Sequence, residues 1–423
     1  MIREKLLSIF LDISTKQREM ITKILYLIVL LSLIYFGCTD DSTLVDSDRS
    51  ILNAYGELRK DTLYAVEDTF FIGGKVNTGQ SNRLILGSFG GYNTRFLIKF
   101  SKLPADTITV DTLRLIMRRA SVIGDTSKTI GGTIYRVSEK WTESVNADSA
   151  WDLSSSIDYS PFTSTSFNIS GEDTAELIFN LPTSLVDIWR DTTGGDKNFG
   201  LFFNFDDAES IIKLYSRESV TQLYLPKLVY IYKKSSSETV IYDTAYASQD
   251  AGLIDFNGFL DASTIYAGAG YFIYSFVRFD FSSIPKDAFI STTNFFFTKD
   301  NDKSLIDDDL AQNAYLRDVT TAYQDLPVFQ IDSSFTENIY YNIVLSEETE
   351  NQLSLAANRR GGAGSKFIQS IINEQVVYGS FYLEHAGKSQ GISLYAMMSA
   401  GHPDLKLRPY LVIEYYLPPN SRL

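Results

Sequence analysis

A single cysteine, Cys38, stands among 423 residues, so no intrachain disulfide can form and the fold must be held by its cores. Two histidines, His385 and His402, have no spacing that joins them into a metal set. Basic residues are in the minority: 38 Lys and Arg against 52 Asp and Glu leave a net charge of −14. Nucleic acid binding needs a basic face to displace counterions, so this balance argues against it. It also argues against a body lying flat on anionic lipid. No Gly-rich loop follows a strand and opens a helix, and the "GGAG" at 361–364 reads as a turn. Neither a cysteine nucleophile site nor a Gly-x-Ser-x-Gly elbow is found. No cofactor, metal or catalytic residue is therefore expected. The "DDD" at 307–309 reads as a solvated loop, with calcium through oxygen ligands as its alternative. Acids are abundant enough that a carboxylate pair for glycoside cleavage stays open as a minor reading.

What the chain does have begins with "ILYLIVLLSLIYFG", residues 24–37, behind Lys23. This run is shorter than the roughly 20 residues that span a bilayer comfortably. A basic residue, a short apolar core and a small residue before a cut point make a secretory signal. Gly37-Cys38 at its end resembles a bacterial lipoprotein signal, although Tyr35 stands where that family prefers Leu. The resemblance implies that Cys38 is lipidated and becomes the mature N-terminus, with residues 1–37 as the signal segment. An uncleaved membrane anchor is the alternative. Met20 offers a compact start for the same signal. "CTDD" resembles the surface-export signals of Bacteroidetes-type lipoproteins, which implies the outer membrane or cell surface of a bacterium, with a periplasm-facing position as the other option; a polar tether that happens to begin with aspartates is the alternative reading of the same residues. Residues 38–61 are polar and read as a flexible tether with a reach of about 25–30 Å.

The remainder repeats itself. "GYNTRFLIKFSKLP" at 91–104 aligns with "YFIYSFVRFDFSSIP" at 271–285. "FGLFFNF" at 199–205 matches "YGSFYLE" at 378–384, and "LPKLVYIYK" at 225–233 matches "RPYLVIEYY" at 408–416. The order is kept at an offset of roughly 180 residues, which marks a duplicated domain. Two modules are expected, 62–233 and 237–417, with "KKSSSET" as the linker between them.

Inside each copy the pattern is β. Phe96, Ile98 and Phe100 alternate with Arg95, Leu97 and Lys99, as in a strand with one face in a core. Val277, Phe279 and Phe281 repeat that face, and Tyr274 and Phe276 stand on the opposite one. Pro226 and Pro409 precede the closing strands, where proline is tolerated. Short helices are expected from 183, from 365 and over 346–360. The fold class is mostly β: two tandem antiparallel β-sandwiches of jelly-roll type, each expected to fold alone without borrowing strands from the other.

"GQSNRLILG", "TRFLIKFSKLPADTITVDTLRL", "WTE" at 141–143, Trp151, Trp189, "YSRES" at 215–219 and "LPKLVYIY" together resemble the DNRLRE domain, a secreted β-sandwich module related to carbohydrate-binding module family 96. The resemblance covers most of 62–233 and is weaker over 240–417. It implies non-catalytic accessory modules, some relatives of which bind polysaccharide. Aromatic residues are then the candidate ligand platform, since a sugar stacks its CH face on a ring. Trp141 and Trp151 are candidates by position, and Tyr274 and Phe276 by sharing a strand face; packing in a core is the competing role for all four, as for Trp189. The expected partners are the membrane, through Cys38, and polysaccharide or other envelope proteins. A purely structural envelope protein and a polysaccharide-degrading enzyme are the other two readings.

Overall fold

A computed structural model of the chain describes residues 56–418, except 320–340, 346–351, 358–362 and shorter stretches of one to five residues. The signal segment, Cys38 and all but the last residues of the expected tether lie outside the described residues. By compactness the described residues form one large unit, 60–286 with 290–415, and residues 56–59, 287–289 and 416–418 fall outside it.

The first repeat contributes β1 (Glu57–Lys75), β2 (Arg83–Phe89), β3 (Tyr92–Lys99), β4 (Ile108–Gly124), β5 (Thr129–Val137), β6 (Ile157–Asn168), β7 (Glu176–Leu181), β8 (Leu201–Asn204), β9 (Ser210–Tyr215) and β10 (Lys227–Lys234). The second contributes β11 (Val240–Tyr246), β12 (Gln249–Phe256), β13 (Thr264–Ala269), β14 (Tyr271–Phe279), β15 (Phe289–Thr298), β16 (Asn313–Val319), β17 (Tyr341–Leu345), β18 (Gln352–Ala357), β19 (Ser380–His385), β20 (Ser393–Met398) and β21 (Tyr410–Leu417). The α-helices among the described residues are α1 (Leu153–Ser156), α2 (Ser184–Arg190) and α3 (Ala363–Ile372). The chain is mostly β, as its composition of aromatic and β-branched residues requires. One expected helix is absent: part of 346–360 is the strand β18. Leu353 and Leu355 recur at period two, and β15 offers an open edge that six residues of β18 pair with.

The strands form two hydrogen-bonded sets. The eleven-stranded set holds β2 to β12, and the ten-stranded set holds β13 to β21 together with β1. Each is bent into a sandwich. In the first, β4 turns the corner: its early half pairs with β10 and β7, and its late half pairs with β9 after a register shift between Arg119 and Ser121. In the second, β1 makes the same turn, running beside β21 and then, past a shift between Ala65 and Glu67, beside β14.

This topology corrects the expectation that neither copy borrows from the other. The opening strand of each repeat completes its neighbour's sandwich. β12 pairs with β3 from Gln249↔Lys99 to Phe256↔Tyr92, while β1 pairs with β14 from Ala65↔Phe279 to Lys75↔Tyr271. The closing strands β10 and β21 do lie beside β4 and β15 of their own copies, but their other neighbours are the exchanged strands β11 and β1. The exchange is seated at Gly91, whose φ of +87° suits only glycine and whose absent Cβ lets the backbone of Gly258 approach.

Three apolar cores follow. Phe96, Ile98 and Phe203 fill the first sandwich, with Leu185, Val186 and Trp189 of α2 closing one side. Phe279, Phe295 and Phe381 make edge-on contacts in the second, joined by Phe367 of α3. A third core lies between the repeats: Ile85, Tyr92 and Ile211 of the first meet Tyr266, Ile273 and Leu394 of the second. The two sandwiches are thus fused by burial as well as by exchange, at roughly 1.5–3 kcal/mol for each large side chain taken from water.

Candidate functional site

β1, β14, β19 and β16 lie side by side in the second sandwich, and their register builds two rows on one sheet face. Phe71, Tyr274, Glu384 and Tyr315 stand in one row; Thr69, Phe276, Tyr382 and Arg317 stand in the next. Residues directly opposite across antiparallel strands share a face, so these side chains meet. Each row carries one charged residue on β19 or β16, Glu384 in the first and Arg317 in the second. Phe71 stacks on Tyr274 at 5.6 Å, and the Tyr274 and Tyr382 rings are 5.2 Å apart.

The charged end borders a cleft of about 510 Å³, lined by Tyr315, Arg317, Glu384, His385, Ala386 and Lys388. Glu384 is its hub. Arg317 Nη2 donates to one carboxylate oxygen. The other oxygen accepts from the Tyr382 hydroxyl at 3.1 Å and from Lys388 Nζ at 3.3 Å. Lys388 also lies 5.0 Å over the Phe272 ring. Burial, then the neighbouring Glu384 charge, holds the Tyr382 phenol well above its ordinary range. Burial alone pushes the Tyr274 phenol to about 12, and its hydroxyl lies buried without a hydrogen-bond partner. His385 points to the other side of β19 and stacks on Tyr395 at 5.0 Å. Its Nδ1 accepts from the Gly387 N–H at 2.9 Å, and burial lowers its imidazole to about 4, so the ring is neutral near neutral pH. This arrangement sets two cationic donors on a compensated carboxylate at the edge of the cleft.

The residues expected to form a platform are placed differently. Tyr274 and Phe276 do occupy the face opposite the sandwich core, but they are 0% and 1% exposed. They form a satellite core with Val319 and Tyr382, against which Phe71 and Phe272 pack. Phe71, which β1 brings from the first repeat, is one part of that packing; Phe272, Val319 and Tyr382 of the second repeat are the rest. Trp141 is buried and donates its indole N–H to the Phe199 carbonyl at 2.7 Å. Trp151 is half-buried in the same cluster, over Ala251 and Leu253 of β12. Both tryptophans therefore cover an exchanged strand, and Trp189 belongs to the first core. The structure brings Tyr274 and Phe276 together inside the protein, and separately buried Trp141 with half-buried Trp151. The "DDD" run is not solvated throughout: Asp307 is buried, and Lys213 Nζ occupies the place between Asp307 and Asp309.

Arg317, Glu384 and Lys388 carry the cleft and were not singled out in the sequence. The signal was present in "FYLEH", where the alternation puts Tyr382 and Glu384 on one face.

No family model matches the chain, and no curated protein matches it. Solved structures with some similarity include infectious bursal virus-derived T=1 particles, at 10% identity over 86% of this chain and 74% of that one, with a TM-score of 0.12. The Macrobrachium rosenbergii nodavirus structure is similar at 9% identity over 85% of this chain and 88% of that one, with a TM-score of 0.12. Scores this low carry nothing about function.

Proposed function

We propose that this is a lipid-anchored cell-envelope protein of DNRLRE-like type, without catalysis, that holds extracellular polysaccharide in the cleft of its second sandwich. The observation that carries the reading is the Glu384 hub, where Arg317 and the partly exposed Lys388 converge on one carboxylate at the edge of the cleft. Sugar recognition uses fixed polar groups of this kind to take hydroxyls. Tethering at Cys38 would hold the fused sandwiches near the outer membrane, facing outward.

A glycan array probed with the full chain in detergent tests this. Lys388→Ala, which removes a partly exposed donor, is expected to weaken binding about tenfold, equivalent to about 1.4 kcal/mol. Absence of binding to any neutral or acidic glycan at millimolar ligand sinks the reading. Release of sugar from a polysaccharide would replace it with the enzymatic one. Lipid-precursor labelling that is present in the wild type and lost in Cys38→Ala tests the anchor; a wild type without label leaves residues 24–37 as a plain anchor.

A second reading, contact with another envelope protein, is favoured by the outer face of β11. Tyr242 is 74% exposed there, with Tyr246 and Val240 beside it on the same strand face. Isolation of a cross-linked partner through Tyr242, with no glycan bound, would favour that reading.

A further inference from the structure

Lys213 stands on β9 opposite Ile85 of β2 and Ser121 of β4, on the sheet face that meets the second repeat. Its side chain is 3% exposed. Its neighbours on that face, Ile85 and Ile211, belong to the core between the repeats. Asp307 reaches it from the segment after β15, two residues beyond Leu305, which packs on the same core. The Asp307 side chain is 1% exposed, and Lys213 Nζ contacts its Oδ1. Its Oδ2 is buried without a hydrogen-bond partner. Gly391 lies against it, where a Cβ would stand 3.2 Å from Oδ2. A third group completes the cluster: Asp309 Oδ2 accepts from Lys213 Nζ at 2.5 Å and from the Ser121 hydroxyl, and its side chain is 43% exposed.

As an ion pair this arrangement stabilises little, because desolvating two charges offsets their attraction. As a pair of reactants it is well placed. An amine held against a carboxyl group in a dry, apolar site has the proximity that makes condensation unimolecular. We propose that Lys213 and Asp307 condense into an isopeptide bond that covalently joins the two repeats, with Asp309 as the proton carrier. One proton passes from the ammonium to the Asp307 carboxylate, giving a neutral amine and a neutral acid. Nζ attacks Cγ of Asp307. Asp309 takes the second proton from nitrogen and delivers it to the departing hydroxyl. One N–C bond forms, one C–O bond breaks and one water leaves through the exposed side of Asp309, which ends in its starting state. The product is a neutral amide, so the cost of keeping two charges out of water disappears. The bond spans the fused sandwiches beside their shared core.

Tryptic digestion of the purified full chain with mass spectrometry tests this. The expected product is a branched peptide joining the segments around Lys213 and Asp307, lighter by one water than their sum. Lys213→Arg keeps the charge and cannot form the amide, so the branched peptide should vanish. Asp309→Asn leaves both reactants and should lower the fraction of freshly purified chain that yields the branched peptide at least tenfold. Recovery of the two segments as separate peptides from the wild type overturns the proposal, as does a water-lighter product that persists in Lys213→Arg. An unchanged branched fraction in Asp309→Asn overturns the role given to Asp309.

Discussion

Asp250 shows how one buried carboxyl can hold an exchanged strand. It sits on β12 and accepts the backbone N–H of Arg217 at 2.7 Å. Burial, opposed by that hydrogen bond and reinforced by the Glu218 and Glu143 charges, pushes its carboxyl up to about 7. Asp68 on β1 does the equivalent work in the second sandwich, accepting the Ala400 N–H, and burial raises it too. An acid whose folded pKa exceeds its unfolded one binds more protons when folded. Its contribution is fully present below the unfolded value and is lost as pH rises through the folded one. Stability against urea should therefore fall between about pH 5 and pH 8, by on the order of 3 kcal/mol for Asp250. Asp250→Asn keeps the acceptor and carries no charge, so its midpoint should vary less over that range. An Asn variant with the wild-type pH slope would assign the dependence elsewhere. The same contact explains "YSRES", the most specific piece of the sequence resemblance. Its Arg217 also donates to the Ser248 carbonyl at 2.6 Å, and its Ser216 hydroxyl to the Ser81 carbonyl at 2.7 Å. The motif is legible in the sequence, but its work as a latch is not, because Asp250 and Ser248 come from the other repeat.

At the scale of elements, period-two alternation locates strands in both copies, β18 excepted, and Phe96, Ile98, Val277 and Phe279 are buried as that pattern requires. Alternation does not say whose edge a strand joins. Homologous copies offer homologous edges, and β12 fits β3 as β1 fits β14. The deciding signal was the stretch 235–239. Read as a linker, it separates two domains; as the turn of a hairpin, it forces β11 to lie antiparallel beside β10. The structure has the hairpin, from Lys227↔Tyr246 to Lys233↔Val240. Once β11 is committed there, β12 follows onto β3 and the second sandwich lacks its opening strand. β1 supplies it. A chain beginning at residue 76 should then express with its second sandwich unformed, exposing apolar surface to a hydrophobic dye. A synthetic peptide of residues 57–75 should restore protection. If the truncated chain is as compact and resistant to proteolysis as the full one, β1 is dispensable and the exchange is only decorative. The cleft was harder to foresee than the strands, because it depends on the register between β16 and β19. Arg317 and Glu384 are far apart in sequence and become partners only through that pairing.

For the whole molecule, the exchange implies that sequence repeats and folding units are out of phase by one strand pair. Residues 237–417 carry β11 and β12, which belong to the first sandwich, and lack β1, which belongs to the second. That fragment should aggregate, whereas it would be soluble if each repeat closed on itself. Circular permutation offers the sharper test. The backbone of Gly56 lies against the Leu417 carbonyl, close enough that a Cβ there would clash with it. The start of β1 is therefore beside the end of β21, and a short Gly-Ser link can join residue 418 to residue 56. Phe259, 92% exposed in the loop between β12 and β13, offers a tolerant place for new ends. A permutant running from 259 to 418 and then from 56 to 258 would keep every strand pairing while placing β1 after β21, as β11 already follows β10. It should melt within a few degrees of the parent and as one cooperative transition, since the core between the repeats is untouched. A permutant that fails to fold, with a truncated chain from residue 76 whose second sandwich forms and whose first does not, would mean that each repeat closes on its own opening strand.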